Sequence, residues 1–133
     1  MDRSPDAYDR NARDEWTRMH PETLAGPDLR YVCTDLICAS LRMWTVGELV
    51  KELETAGFDL GARASKVVSD HLRTEVSRGR VRRHGWGRYG PGSMPESTRR
   101  RIRTRASLRR RWLAESGADA DRAELEALLG IRR

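Results

Sequence analysis

The side chains best suited to chemistry in this 133-residue chain are cationic, and the chemistry they suit is contact with a polyanion. Lys66, Ser69, Asp70, Arg73 and Ser77 recur at spacings of three and four, which on a helix places them along one face. Polar and cationic groups arranged this way are of the kind that read DNA base edges. Just beyond them, Arg80-Val81-Arg82-Arg83 and Arg88-Tyr89-Gly90 are short β-compatible runs around His84-Gly85-Trp86-Gly87, whose glycines supply the positive φ of a hairpin turn. The charge pattern points the same way. Residues 1–60 carry 7 basic and 12 acidic side chains, residues 61–112 carry 16 and 3, and residues 113–133 carry 3 and 5. A cationic block between two acidic ones is the electrostatic footprint of a polyanion-binding surface, whereas a merely solvated face usually mixes signs. Nearly all the cations are arginine, with lysine only at 51 and 66, and the planar guanidinium suits bidentate contact with phosphate and guanine.

These residues need elements to hold them. Thr45 and Glu48 form a T-x-x-E capping box ahead of Leu49, Val50 and Leu53, so a helix starts near Val46 and stops at Gly57. A second helix is predicted from about Ala62 to Arg78, with Ala64, Val68, Leu72 and Val76 as its buried stripe and Gly79 as its stop. Upstream, Leu29, Val32, Leu36, Ile37, Leu41 and Trp44 fit a helix beginning at Asp28.

Three helices followed by the basic segment GRVRRHGWGRYGPG resemble the winged helix-turn-helix family over residues 28–92. The resemblance implies a mostly α fold, a three-helix core plus β-hairpin wing, with helical N- and C-terminal extensions at 1–27 and 93–133. It implies double-stranded DNA as partner. Lys66, Ser69, Asp70 and Arg73 would enter the major groove, with Arg63 and Ser65 near the start of that helix. Arg82, Arg83 and Arg88 would clamp phosphate, or one of them would enter the minor groove. Trp86 would intercalate or pack on a sugar, against the preferred reading of contact with its own wing or the C-terminal helices.

The extensions read as helices. Ser4-Pro5 is an N-cap and first helical proline, and Tyr8, Ala12, Trp16 and Met19 recur at helical spacing up to Pro21. This stripe either packs on the main domain, the preferred reading, or forms a dimer contact through Tyr8 and Trp16. Residues 21–27 read as a linker. Pro95 opens a long helix with eight arginines between Arg99 and Arg111 and an apolar stripe of Ile102, Ala106, Trp112 and Leu113. Arg99, Arg100 and Arg101 are expected to contact phosphate. Gly117-Ala118 is expected to break this helix, leaving a short last one with Leu125, Leu128 and Leu129, ended by Gly130, as an αα-hairpin. Either extension would supply a homodimer interface.

Catalysis finds no support. Cys33 and Cys38 stand about 140° apart around one helix and cannot share a metal or a disulfide. His20, His71 and His84 form no ligand pair, and Ser69-Asp70-His71, on consecutive helix positions, cannot converge as a triad. No enzyme activity, cofactor or metal is expected. No apolar run approaches a membrane span or signal-peptide core, so a soluble cytoplasmic, nucleoid-associated protein without membrane contact is expected. The most concrete role is a bacterial transcriptional regulator or nucleoid-associated protein. The rivals are a protein–protein interaction module that has lost DNA binding, and an RNA-binding protein using the arginine-rich helix.

Overall fold

The computed structural model describes the backbone of residues 5–130 and the side chains of 12–117 and 119–130. It is mostly helical with one small antiparallel sheet. Helix α1 spans Pro5–Met19, α2 Gly26–Ser40, α3 Val46–Thr55, α4 Ala64–Ser77 and α5 Glu96–Leu129; the strands are β1 Trp44–Thr45, β2 Val81–His84 and β3 Arg88–Pro91. The sheet order is β1-β3-β2. Trp44 faces Tyr89 on one side of β3, and Arg83 faces it on the other.

Local chemistry explains the boundaries of α3 and α4. The Glu48 N–H donates to Thr45 Oγ1 at 3.1 Å while the Thr45 N–H donates to Glu48 Oε1 at 2.9 Å, the reciprocal capping box. The Thr45 backbone bond, then its hydroxyl, hold the Glu48 carboxyl below its usual range. Gly57 and Gly79 stand just past α3 and α4 at φ of 109° and 75°, where a β-carbon would be strained. Gly92 is required for another reason. A β-carbon there would overlap the Gly79 carbonyl oxygen and come 2.6 Å from the Arg80 carbonyl carbon. The Gly92 N–H instead donates to the Arg80 carbonyl at 2.9 Å, which seals the base of the β2–β3 hairpin.

The core forms where α2, α3 and α4 meet, from Leu29, Val32, Ile37, Leu49, Leu53, Val68 and Leu72, closed by Trp44, Val81 and Tyr89 of the sheet. Helix α5 packs mainly on α2, through Ile102 and Ala106. No helix of the described residues is long and apolar enough to cross a membrane.

Several expectations need correction. Leu41 and Trp44 are not on α2: Leu41 is its left-handed cap at φ 54°, mostly exposed, and Trp44 belongs to β1. Residues 21–27 are no free linker. Leu24 is fully buried, its N–H donates to the Asp59 carbonyl at 3.0 Å, and α2 already starts at Gly26. The α3–α4 turn on the other side of that contact buries Phe58 and Leu60. Most plainly, α5 runs unbroken through Gly117 for 34 residues, so there is no αα-hairpin. One mid-helix glycine costs about 1 kcal/mol, and strong helix formers at 114, 115, 118 and 120 surround this one.

The N-terminal helix forms over Pro5–Met19 as its pattern predicts, but the described members of its stripe, Ala12, Trp16 and Met19, are exposed. Trp16 stays 51% exposed, stacked on His20 at 4.3 Å, and Met19 is exposed. Ser4 and the Tyr8 side chain lie outside the described residues. Cys33 and Cys38 are both free thiols; burial, then the Glu75 carboxylate, push the Cys33 thiol up to about 12.

Candidate nucleic-acid interface

Helix α4 buries Val68, Leu72 and Glu75 and turns Arg63, Ser65, Lys66, Asp70 and Arg73 outward, with Ser69 at the margin. The outward face is not a row of free cations. Asp70 Oδ2 accepts from Lys66 Nζ at 2.9 Å, and Asp70 Oδ1 lies 4.0 Å from Arg73. The Lys66 hydrogen bond, against a smaller desolvation effect, holds the Asp70 carboxyl below its usual range. A carboxylate between two cations aligns them and subtracts from their attraction for phosphate. Arg73 keeps 81% of its side chain in solvent. On the inner flank, burial and then Arg30 hold the His71 imidazole below its usual range.

The β2–β3 hairpin follows directly. Val81 pairs with Pro91 and Arg83 with Tyr89, which by the two-residue period of a strand share one face. Arg82 and Arg88 lie on the other. All three arginines are exposed, and none has an ion-pair partner among the described residues. At the tip the Arg88 N–H donates to the Gly85 carbonyl at 3.2 Å, and φ is positive at both Trp86 (50°) and Gly87 (71°), as a type I′ turn requires. Trp86 is 100% exposed. The preferred reading, in which it packs on its own hairpin or on the C-terminal helix, is therefore overturned. A large aromatic at positive φ, wholly in solvent, is costly on both counts and does nothing for this fold.

What couples helix to hairpin was not read from the sequence. Glu75, fully buried on α4, faces Arg30 of α2 at 3.2 Å and accepts from Arg80 at 3.4 Å, while the Arg80 N–H donates to the Glu75 carbonyl at 3.0 Å. The Arg30 contact is one of charge, since its Nε lacks hydrogen-bond geometry and Glu75 Oε2 has no partner among the described residues. Arg80 thus pins the start of β2 to the last turn of α4. A signal existed: 68, 72, 75 and 76 share the buried face, and Glu75 is its one charged member.

The arginines of α5 behave differently. Asp28 and Asp35, seven residues apart, lie on one face of α2. Asp28 accepts from Arg105 Nε at 2.8 Å and from Arg109 at 2.5 Å; Asp35 accepts from Arg110 at 2.7 Å and Arg99 at 3.4 Å. Arg109 is only 2% exposed and also donates to the Thr23 carbonyl at 2.6 Å. Burial raises the Asp28 carboxyl, but hydrogen bonds from Arg105 and Arg109 outweigh it, so the group titrates below its usual range. The Asp28 hydrogen bond in turn raises Arg105. Arg99, expected at phosphate, is therefore spent inside the protein, with 17% of its side chain exposed. Arg100 and Arg101 remain exposed. They are not gathered with the α4 residues. Arg30, which reaches α4, is about 200° around α2 from Asp28, which reaches α5, so α2 stands between the two basic surfaces.

Among the described residues no three His, Cys, Asp or Glu side chains come together in a way that could hold a metal ion. Comparison with protein-family models, with curated proteins and with solved structures finds no match to this chain.

Proposed function

We propose that residues 28–92 are a winged helix-turn-helix unit that binds double-stranded DNA without enzymatic activity, with α4 in the major groove and the β2–β3 hairpin as the wing. The observation that carries this reading is the wing tip. Trp86 is wholly exposed at positive φ between Arg82, Arg83 and Arg88, none of which closes an ion pair among the described residues. Phosphate would meet the arginines, and Trp86 would stack on a sugar or enter a base step. Arg73 and Lys66, aligned by Asp70, would approach base edges, flanked by Arg63, Ser65 and Ser69. The element order α2, β1, α3, α4, β2, β3 supports the assignment. A transcriptional regulator or nucleoid-associated protein of the cytoplasm is the role this chemistry fits.

The same proposal includes a homodimer through the end of α5. Leu125, Leu128 and Leu129 are exposed at helical spacing, an apolar row that a second copy of the same helix would cover. The DNA reading is tested by titrating a duplex at several salt concentrations. A protein that neutralises about six phosphates gives a log–log slope near −5, and a flat response would sink the proposal.

A further inference from the structure

We propose that the cleft between α1, the beginning of α2 and α5 binds a small planar carboxylate, a site separate from the basic surface of α4 and the hairpin. The cleft encloses about 790 Å³, within the range of small-molecule sites. Two of its walls are aromatic, Trp16 and Tyr31, and the Trp16 indole is half in solvent although it already stacks on His20. A flat apolar ring laid along these faces would remove more of that surface from water.

The charge of the lining selects an anion. Arg13, Arg101, Arg105 and Arg109 line the cleft against only Asp14 and Asp28, an excess of two positive charges. Arg105 is engaged on both carboxylates, at 2.8 Å from Asp14 Oδ1 and 2.8 Å from Asp28 Oδ1. Arg13 and Arg101 have no ion-pair partner among the described residues, so two guanidiniums from different helices are left for an incoming carboxylate. Arg109 also lines the cleft but is almost wholly buried, with its guanidinium held by Asp28 and the Thr23 carbonyl, so it adds positive charge to the wall without offering a free donor. A bare phosphate would satisfy the charge and leave the aromatic walls unused; a neutral ring would do the reverse. A planar aromatic carboxylate uses both.

Binding has a structural consequence. The described contacts that tie α1 to α5 are few, chiefly the Asp14–Arg105 pair and Arg18 set 5.9 Å from the Trp112 ring. A ligand held by Arg13 and Trp16 on one side and Arg101 on the other would clamp α1 to the body, so occupancy of the cleft fixes α1.

The test uses the full chain, no DNA, and 2-naphthoate as probe, with 2-naphthalenemethanol and inorganic phosphate as controls, followed by calorimetry and amide hydrogen exchange. The expected result is saturable one-to-one binding of the naphthoate alone, with slower exchange in residues 13–20. Arg101→Gln and Trp16→Leu each change an exposed side chain, and each should weaken binding by about tenfold while the unfolding transition stays in place. No saturable heat at probe concentrations up to about 5 mM, a millimolar limit of useful affinity, would overturn the proposal. So would equal binding of the alcohol or of phosphate, or naphthoate binding that survives both substitutions.

Discussion

In α5 the guanidiniums of Arg99, Arg105, Arg109 and Arg110 close on Asp28 and Asp35, whereas in the hairpin Arg82, Arg83 and Arg88 meet no carboxylate among the described residues. The two regions share a residue type and a charge density, yet one spends its cations on the fold and the other presents them. Burial decides which. Arg109 is out of water and must be paired, because an unpaired buried charge is prohibitive. The hairpin arginines are solvated, lose little by lacking a partner, and remain available to an external anion. The difference teaches that arginine content locates a candidate interface only after the internal carboxylates have been counted. The acidic N-terminal third, which looks like a separate charge block, supplies those carboxylates.

The largest expected effect comes from breaking the buried side of this comparison. Asp28→Ala leaves Arg109 charged and buried without its carboxylate, and should cost about 3–5 kcal/mol of stability in denaturant unfolding. Asp28 also predicts a pH dependence. Its carboxyl titrates lower in the folded state than its ordinary value of 3.8, so its contribution is fully present above that value and is lost as pH falls through the folded pKa. Acid unfolding of Asp28→Ala should therefore begin from a lower stability and fall less steeply below about pH 4. An unchanged acid limb would mean that the Asp28–Arg105–Arg109 contact adds nothing.

On the presented side, Arg73→Ala should cost about 1–3 kcal/mol on a preferred site and little on a scrambled duplex, with the melting temperature unchanged. Equal losses on both duplexes would mean that α4 attracts DNA without reading it. The smaller effect on stability is expected at Trp16. Full burial would make Trp16→Ala cost about 3–5 kcal/mol, but an indole half in solvent should lose about half of that. A larger loss on thermal unfolding would place Trp16 in the core after all.

The sequence was legible where local rules act alone. The capping box, the glycine stops at 57 and 79, the stripe of α4 and the hairpin all follow from near neighbours, and the structure has them. It was illegible where partners are distant. Arg99, Arg105 and Arg109 meet carboxylates 64 to 91 positions away; their helical phase with Ile102 and Ala106 turns them inward, away from Arg100 and Arg103, but does not say which carboxylates they meet. Glu75 hid in the same way, since its partner Arg30 lies on another helix. The αα-hairpin failed because a single glycine without a proline is a weak breaker. Leu41 and Trp44 failed because a helix period extrapolates smoothly past a left-handed cap that only the structure reveals.

The most direct measurement sets the two regions against each other in one titration. Arg82, Arg83 and Arg88 are replaced together by alanine in one variant, and Arg100, Arg103 and Arg111, three exposed arginines of α5, in another. Each is titrated with the same duplex over a range of salt. The hairpin variant should lose up to about three units of log–log salt slope, close to 0.9 for each phosphate contact removed. The α5 variant, with the same charge deleted, should keep the slope of the unaltered protein. Equal losses in the two variants would reduce the interaction to net charge, and a loss confined to the α5 variant would contradict the account outright.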